Sequence, residues 1–495
     1  MGSPRLRRNF AISAALTLLL AALGLAVMGY HPGTEDDGVY LSAVKSNLNP
    51  ALYPHDAAFF RLQLQATVFD KLLAGFMRAT GMPVATAAFF WQCVTLVAII
   101  AACLGIARRL FPEPRAHWAG VALVAGLFTL PVAGTALYLV DQHLHPRNVA
   151  TALILIAVGR VLAGRRWQAA VLLLAAFAIH PIMAAMGISF CVFLALSLSD
   201  AVQRRLASAP GSLAAFVPLG WVFEPPTPIW RRALATRRYY FLFHWTWYEW
   251  LGALAPLALF WLLVRWARQG GRSLLSRFAL AVLAYGLFQQ TVAMVLLGVP
   301  ALERLIPLQP MRFLQLVYFF LVLIFGCLAG EFLLKTRVLR WAVFLIAVNA
   351  GMFAAQRAQF PASQHLEFPS RVSANPWLQA FAWIRQNTPT DALFALDPNY
   401  LAAQGEDYHS FRALAERSQL ADNIKDPAVV TQVPELGPAW QRQSEAVAGW
   451  TNFRAADFQR LNREFGVTWV LVGVSAEAGL ACPWHNGTLA VCRLR

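Results

Sequence analysis

The chain alternates long apolar stretches with short polar ones from its start to about residue 355. Windowed hydropathy marks candidate spans at 10–29, 84–107, 116–139, 148–163, 167–180, 182–199, 212–223, 250–267, 278–299, 313–334 and 338–355, about eleven in all. Runs near 20 residues are long enough to cross a hydrocarbon core roughly 30 Å thick. The short runs around Ile179 and Val217 matter most for topology, because losing either inverts every later span. Residues 55–80 break the pattern. Asp56, Arg61, Asp70, Lys71 and Arg78 are too many charges for a bilayer centre, while Leu62, Phe69, Leu72, Leu73 and Phe76 recur at helical spacing. That pattern predicts an amphipathic helix lying in the outer interface. The aromatic run Tyr239–Trp250 also suits an interface, and Pro225, Pro226 and Pro228 predict a loop or re-entrant turn before it.

After residue 355 the apolar runs shorten, and Pro, Asp, Gln and Asn increase. Strands are predicted at Ala392–Leu396, Thr468–Val472 and Leu489–Leu494. Helices are predicted at Pro376–Gln386 and Ala456–Phe465, the latter ending near Gly466. The expected organisation is therefore a transmembrane module, 1–355, whose first outer loop spans 30–83, followed by an α/β domain, 356–495. Asn486-Gly487 is a hairpin turn signal. A three-residue loop at 486–488 would set Cys482 opposite Cys492, a geometry that suits a disulfide in an oxidising compartment. Cys93, Cys103, Cys191 and Cys327 fall in spans and read as packing residues.

Composition agrees with a membrane protein: 58% of residues are hydrophobic, only 13% are charged, and mean hydropathy is +0.52. The formal net charge is +16. In a soluble domain that balance would point to nucleic acid, but here many arginines flank apolar runs, where they set helix orientation. Arg5, Arg7 and Arg8 precede the first span, which reads as an uncleaved helix with a cytoplasmic N-terminus. Arg108-Arg109, Arg165-Arg166, Arg204-Arg205, Arg265 to Arg277 and Lys335 to Arg340 then all fall inside, and the tail falls outside. The basic stretch Arg231 to Arg238 is the exception and lands outside. High Ala, Leu and Arg suits a bacterial source, so the expected location is a bacterial inner membrane with the tail periplasmic or extracellular.

Acids are costly near a bilayer, yet Glu35-Asp36-Asp37 lies just past the first span. This acidic loop, in the context HPGTEDDGVYL and ALYPHD, is joined by His180-Pro181 inside an apolar run, by LQPMRFLQ, and by WIRQNTPTDALFALDP, FRALAERSQLADNIKDP and FGVTWVLVG in the tail. Together they resemble a bacterial branch of the GT-C superfamily of integral-membrane glycosyltransferases, one with a C-terminal extracytoplasmic domain. The resemblance covers nearly the whole chain. It implies a polytopic α-helical fold and transfer of a sugar from a polyprenyl-phosphate-linked donor, at the outer face of the membrane, with inversion. The acceptor would be a lipid-linked glycan, a polymer or a protein. It also implies that a first-loop acid acts as general base or helps hold a divalent cation, Mg²⁺ or Mn²⁺.

Asp36 and Asp37 are the catalytic candidates, since an acceptor hydroxyl needs a carboxylate to take its proton, and the same oxygens suit a hard cation. The alternative is that they cap the helix that follows. His55, beside Asp56, is a second polar node, either for the acceptor or as a helix cap. Arg147 and His145, in the outer stretch Asp141–Asn148, are candidates for phosphate, Arg147 because its planar fork matches phosphate oxygens. His180 is either functional or satisfies backbone freed by Pro181. Arg312 is placed to neutralise a phosphate leaving group. Arg237, Arg238, His244 and Glu249 frame the aromatic run and could line a lipid groove. A transporter or flippase of lipid-linked intermediates would use the same arginines without chemistry. A non-catalytic envelope-assembly subunit would need the tail but not the acids. No internal repeat supports the transporter, and no glycine-rich phosphate loop, CxxC or HExxH motif offers another chemistry.

Overall fold

The computed structural model describes residues 4–200, 225–368, 373–476 and 479–494; the candidate span 212–223 and Arg204-Arg205 lie outside the described residues. Among the described residues six helices are long and apolar enough to cross a membrane: Arg8–Met28, Val84–Leu110, Trp247–Gln269, Ser273–Gly298, Pro310–Leu334 and Val338–Gln359. Their outward faces are apolar, with Phe10, Leu19, Leu262, Leu287, Val343 and Ile346 all exposed. Apolar faces of that extent suit contact with lipid rather than water. Where helices meet, small residues let backbones approach. A methyl on Gly326 would lie 2.8 Å from the Gly120 Cα, so these two glycines set the contact between helices Pro114–Gly126 and Leu314–Leu328.

The expected count of about eleven spans is not confirmed among the described residues. Helices Pro146–Leu162, Arg166–Ile179 and Pro181–Ser197 hold 17, 14 and 17 residues. At 1.5 Å per residue that is about 21 to 26 Å, short of the hydrocarbon thickness. The run at 116–139 is helical only to Gly126. Beyond it the chain is irregular as far as His145, with Pro131 unable to donate a helical hydrogen bond. Buried irregular backbone must find partners. Amide side chains of neighbouring helices supply them: Gln315 Nε2 donates to the Leu139 carbonyl at 2.8 Å, Gln92 Nε2 to the Asp141 carbonyl at 3.0 Å, and Asn148 Nδ2 to the His143 carbonyl at 3.2 Å.

The amphipathic helix expected over 55–80 is broken. Helix Ala58–Arg61 passes into a 3₁₀ turn, Gln63–Ala66, then an extended Thr67, before helix Phe69–Thr80. At the break the Val68 amide donates to the Ala178 carbonyl at 3.0 Å. Phe69 and Leu73 turn inward, while Leu72 is 58% exposed.

The tail carries a five-stranded mixed sheet in the order β2-β1-β3-β5-β4. Its strands are β1 Leu393–Ala395, β2 Ser418–Gln419, β3 Trp469–Gly473, β4 Ala481–His485 and β5 Leu489–Arg493. β1 runs parallel to β2 and β3, and β5 runs antiparallel to β3 and β4. Helix Ala455–Phe465 stops at Gly466, whose φ of 73° only glycine adopts freely. In the β4–β5 turn, Asn486 Oδ1 accepts from the Thr488 and Leu489 amides, and Cys482 and Cys492 are joined by a disulfide.

The tail shares its core with the first loop, 30–83. One cluster combines Val39, Tyr53 and Phe60 of the loop with Val429, Val430 and Trp440 of the tail. Polar ties cross the same junction. Lys45 Nζ pairs with Glu416 at 2.6 Å, the Glu35 amide donates to the Tyr408 carbonyl at 2.9 Å, and the Ser410 amide donates to the Gly33 carbonyl at 2.7 Å. The basic stretch that broke the charge rule is also tied down here. Arg231 pairs with Glu303, Arg232 with Glu445, and Arg237 donates to the Ile424 carbonyl.

Candidate active site

Five sequence-derived candidates, separated by up to 276 positions, line one cavity of about 230 Å³: Asp36, His145, Arg147, His180 and Arg312. The tail adds Lys425, and the aromatic run adds Tyr239 and Tyr240. Each charged group is set by local structure. Asp36 is the N-cap of helix Asp37–Leu48, yet its side chain makes no capping bond and remains 38% exposed to the cavity. Its Oδ1 lies 3.1 Å from Lys425 Nζ and its Oδ2 lies 3.5 Å from His145 Nε2. Glu35, in the left-handed region at φ 53°, pairs with the same ammonium. Burial works against the Asp36 charge. Lys425, then His145 and Arg147, outweigh it and hold the carboxyl well below the usual carboxylate range.

His145 caps helix Pro146–Leu162 by accepting the Arg147 amide at Nδ1, 3.0 Å away. That bond places the ring proton on Nε2, toward Asp36. Burial and then the Arg147 charge push His145 down to about 4, so it is a neutral donor at physiological pH. Arg147 is held by both oxygens of Asp141, at 3.1 and 2.6 Å. Burial opposes the Asp141 charge, but the guanidinium holds it down to about 2. His180 repeats the capping logic at the break between two short helices, where its Nδ1 accepts the Met183 amide at 3.3 Å. Its ring centroid lies 6.3 Å from that of His145.

Arg312 differs from Arg147. Among the described residues no carboxylate lies within ion-pair distance of it. Its Nε donates to Gln309 Oε1 at 2.6 Å, and Gln309 Nε2 donates to the Tyr240 hydroxyl at 2.9 Å. Gln309 adopts φ 51°, a conformation unfavourable for a side-chain-bearing residue, and so aims this relay.

Four expectations change. Asp37 does not line the cavity. It is 4% exposed, its Oδ2 accepts the Gly33 amide at 2.7 Å, and its Oδ1 lies 4.0 Å from His143 Nε2, so it closes the loop instead. Burial pushes its carboxyl up, against the pull of His143 and Gly33. His55 is exposed at the tail junction, where its Nε2 meets the Asp391 carbonyl at 3.0 Å, and its neighbour Asp56 is buried against Arg412. The donor set does not fit a Mg²⁺ or Mn²⁺ ion: Asp37 is turned away, Lys425 fills the space between Glu35 and Asp36, and among the described residues no three metal-ligating side chains converge. Glu249, expected near a lipid groove, instead caps helix Trp247–Gln269 by accepting from the Thr246 amide at 2.7 Å.

Lys425, Tyr239, Tyr240 and Gln309 were not singled out from sequence as site residues. For Lys425 a signal existed: lysine occurs only four times in this arginine-rich chain, and Lys45 and Lys425 both sit in ion pairs across the loop–tail junction.

Residues 375–447, which include Lys425, match a family described as a domain of unknown function, DUF6798. No curated protein sequence matches the chain. In overall fold the chain is similar to an oligosaccharyltransferase of Archaeoglobus fulgidus solved with zinc and sulfate, at 14% identity and TM-score 0.46, covering 94% of this chain and 68% of that one. It is also similar to the archaeal oligosaccharyltransferase AglB of the same organism in complex with an inhibitory peptide and a dolichol-phosphate, at 12% identity and TM-score 0.44, covering 94% and 69%. Likeness at that level decides neither reaction nor ligand, which rest on the cavity itself.

Proposed function

We propose that the protein is a GT-C-type membrane glycosyltransferase that moves a sugar from a polyprenyl-phosphate donor to an acceptor in the cell envelope, on the outer side of the membrane. The observation that carries this reading is one cavity combining an ionised, partly open carboxylate with two arginines near helix N-termini. Arg312, with no acid within ion-pair distance among the described residues, takes the donor phosphate, with Arg147 beside it. Tyr239 and Tyr240 flank the lipid end. The acceptor hydroxyl hydrogen-bonds to Asp36, which receives its proton as the oxygen bonds to the anomeric carbon. The bond from that carbon to the phosphate oxygen breaks on the opposite face, inverting the centre. The leaving polyprenyl phosphate keeps the electron pair, and the guanidinium charge stabilises it. His145 Nε2 faces the Asp36 carboxylate at 3.5 Å.

The test is mass spectrometry of envelope glycans and lipid-linked sugars in wild type, a deletion strain, and the deletion carrying Asp36→Asn. The expected result is loss of one sugar unit and accumulation of its lipid-linked donor, unrelieved by Asp36→Asn at normal membrane levels. Full restoration by Asp36→Asn would overturn the reading.

A further inference from the structure

Two adjacent carboxylates, Glu35 and Asp36, of which Asp36 lines the cavity, form the kind of donor set that attracts a divalent cation. Here the position between them is taken. The Lys425 ammonium contacts Glu35 and lies 3.1 Å from Asp36 Oδ1, and it lines the cavity with Arg147 and Arg312. We propose that Lys425 is a built-in replacement for a divalent cation: it neutralises the acidic loop, orients Asp36 toward the acceptor and makes the site independent of metal.

Three observations support this. First, Lys425 is held by its own segment rather than by chance contact. Asp422 Oδ1 accepts the Lys425 amide at 2.5 Å and the Ile424 amide at 2.7 Å, fixing the turn that presents it, and the Ile424 carbonyl is in turn bound by Arg237. Second, its charge is secured. Burial disfavours the ammonium, but Asp36 and then Glu35 outweigh burial and raise its proton affinity above the ordinary lysine value. Third, among the described residues no other lysine or arginine lies within ion-pair distance of Asp36: Arg147 pairs with Asp141, and Arg312 donates to Gln309. A lysine is a compact point charge and so approximates a hard metal ion better than arginine does. The arrangement also explains why the tail packs so closely on the first loop, since the site is incomplete without the tail's lysine.

The proposal deepens the glycosyltransferase reading, but metal binding tests it separately from turnover. Purified full-length protein in lipid nanodiscs is titrated with Mn²⁺ and followed by electron paramagnetic resonance, for wild type, Lys425→Ala and Lys425→Ala/Asp36→Asn. Removing a positive charge a few ångströms from two carboxylates should tighten Mn²⁺ binding by about tenfold or more. Wild type should bind no stoichiometric Mn²⁺, Lys425→Ala should bind one ion, and the double variant should lose it. In the donor-turnover assay, wild type should be unaffected by EDTA. Stoichiometric Mn²⁺ binding by wild type that Asp36→Asn abolishes would overturn the proposal, and this arm needs no lysine variant to fold. A folded Lys425→Ala that gains no Mn²⁺ would also overturn it. Failure of turnover in every form, with the metal pattern as expected, would count against the transferase reading and leave the lysine's role standing.

Discussion

Two charged nodes join the first outer loop to the tail, and they are built oppositely. At one, Arg412 is buried among acids: its Nε donates to Asp56 at 2.5 Å, and its two amino groups reach both Asp426 oxygens at 2.7 and 2.9 Å. Backbone amides complete it, with Gln419 N on Asp56 and Asp422 N on Asp426, and the Phe59 ring lies 5.6 Å from the guanidinium. At the other node, Asp36 is 38% exposed to a cavity, Arg312 has no acid among the described residues, and His145 Nε2 lacks a hydrogen bond. The first node spends its charges on its own packing, and the second leaves them available. A buried charge without a partner is expensive, and in the proposed function the donor phosphate completes the pairing at the open node.

The largest effect should come from breaking the closed node. Arg412→Ala leaves Asp56 and Asp426 buried without a counter-charge and should cost about 3–5 kcal/mol. Thermal unfolding in nanodiscs would register the drop, and limited proteolysis would show the tail released from the loop. Asp36→Asn should do the reverse, lowering transfer about 10²–10⁴-fold while unfolding stays within about 0.5 kcal/mol of wild type. Equal stability losses in the two variants would erase the distinction between the nodes.

Asp37→Ala sharpens the comparison within a single dipeptide. It deprives the Gly33 amide of its buried acceptor and should destabilise by about 1–3 kcal/mol. Its stability loss should exceed that of Asp36→Asn, and its loss of transfer should be the smaller one.

A pH dependence should appear at a third contact across the junction. His409 Nε2 lies 2.9 Å from Glu367 Oε2, and Glu367 Oε1 also meets His31 Nδ1 at 2.7 Å. Burial lowers the His409 proton affinity, but Glu367 and then Glu406 raise it to about 9. A folded-state value above the ordinary one means that the stabilisation is full below about pH 6.5 and is lost as pH rises through about 9. Stability should therefore fall between pH 7 and 10, and His409→Gln should flatten that slope. The smallest effect belongs to His55→Ala, which should leave transfer unchanged and shift stability by no more than about 0.5 kcal/mol, because the ring is exposed and away from the cavity.

Periodicity made much of the fold legible. The six long apolar helices fall on runs that hydropathy marks, helix Pro376–Asn387 and strand β3 lie within a residue or two of their expected bounds, and Asn486-Gly487 announced the β4–β5 turn. The stretch 127–139 reads as the end of a span because it is apolar, and hydropathy does not register the hydrogen bond from Gln315 on another helix. That amide inside an apolar run was the available clue. The short helices that meet at His180 were legible as a proline break, whereas their lengths of 14 and 17 residues were not.

The sequence by itself determined that this is a polytopic helical protein with an acidic first loop, arginines at helix ends and an α/β tail. These are local properties, written in composition, period and turn chemistry. Only the tertiary structure decided which acid faces the cavity, because Asp36 and Asp37 differ by one residue but by about 100° around a helix axis. It also brought Lys425 against residues 389 and 390 positions away, and it left His55 outside. Packing sets such distances, and no pattern along the chain encodes them.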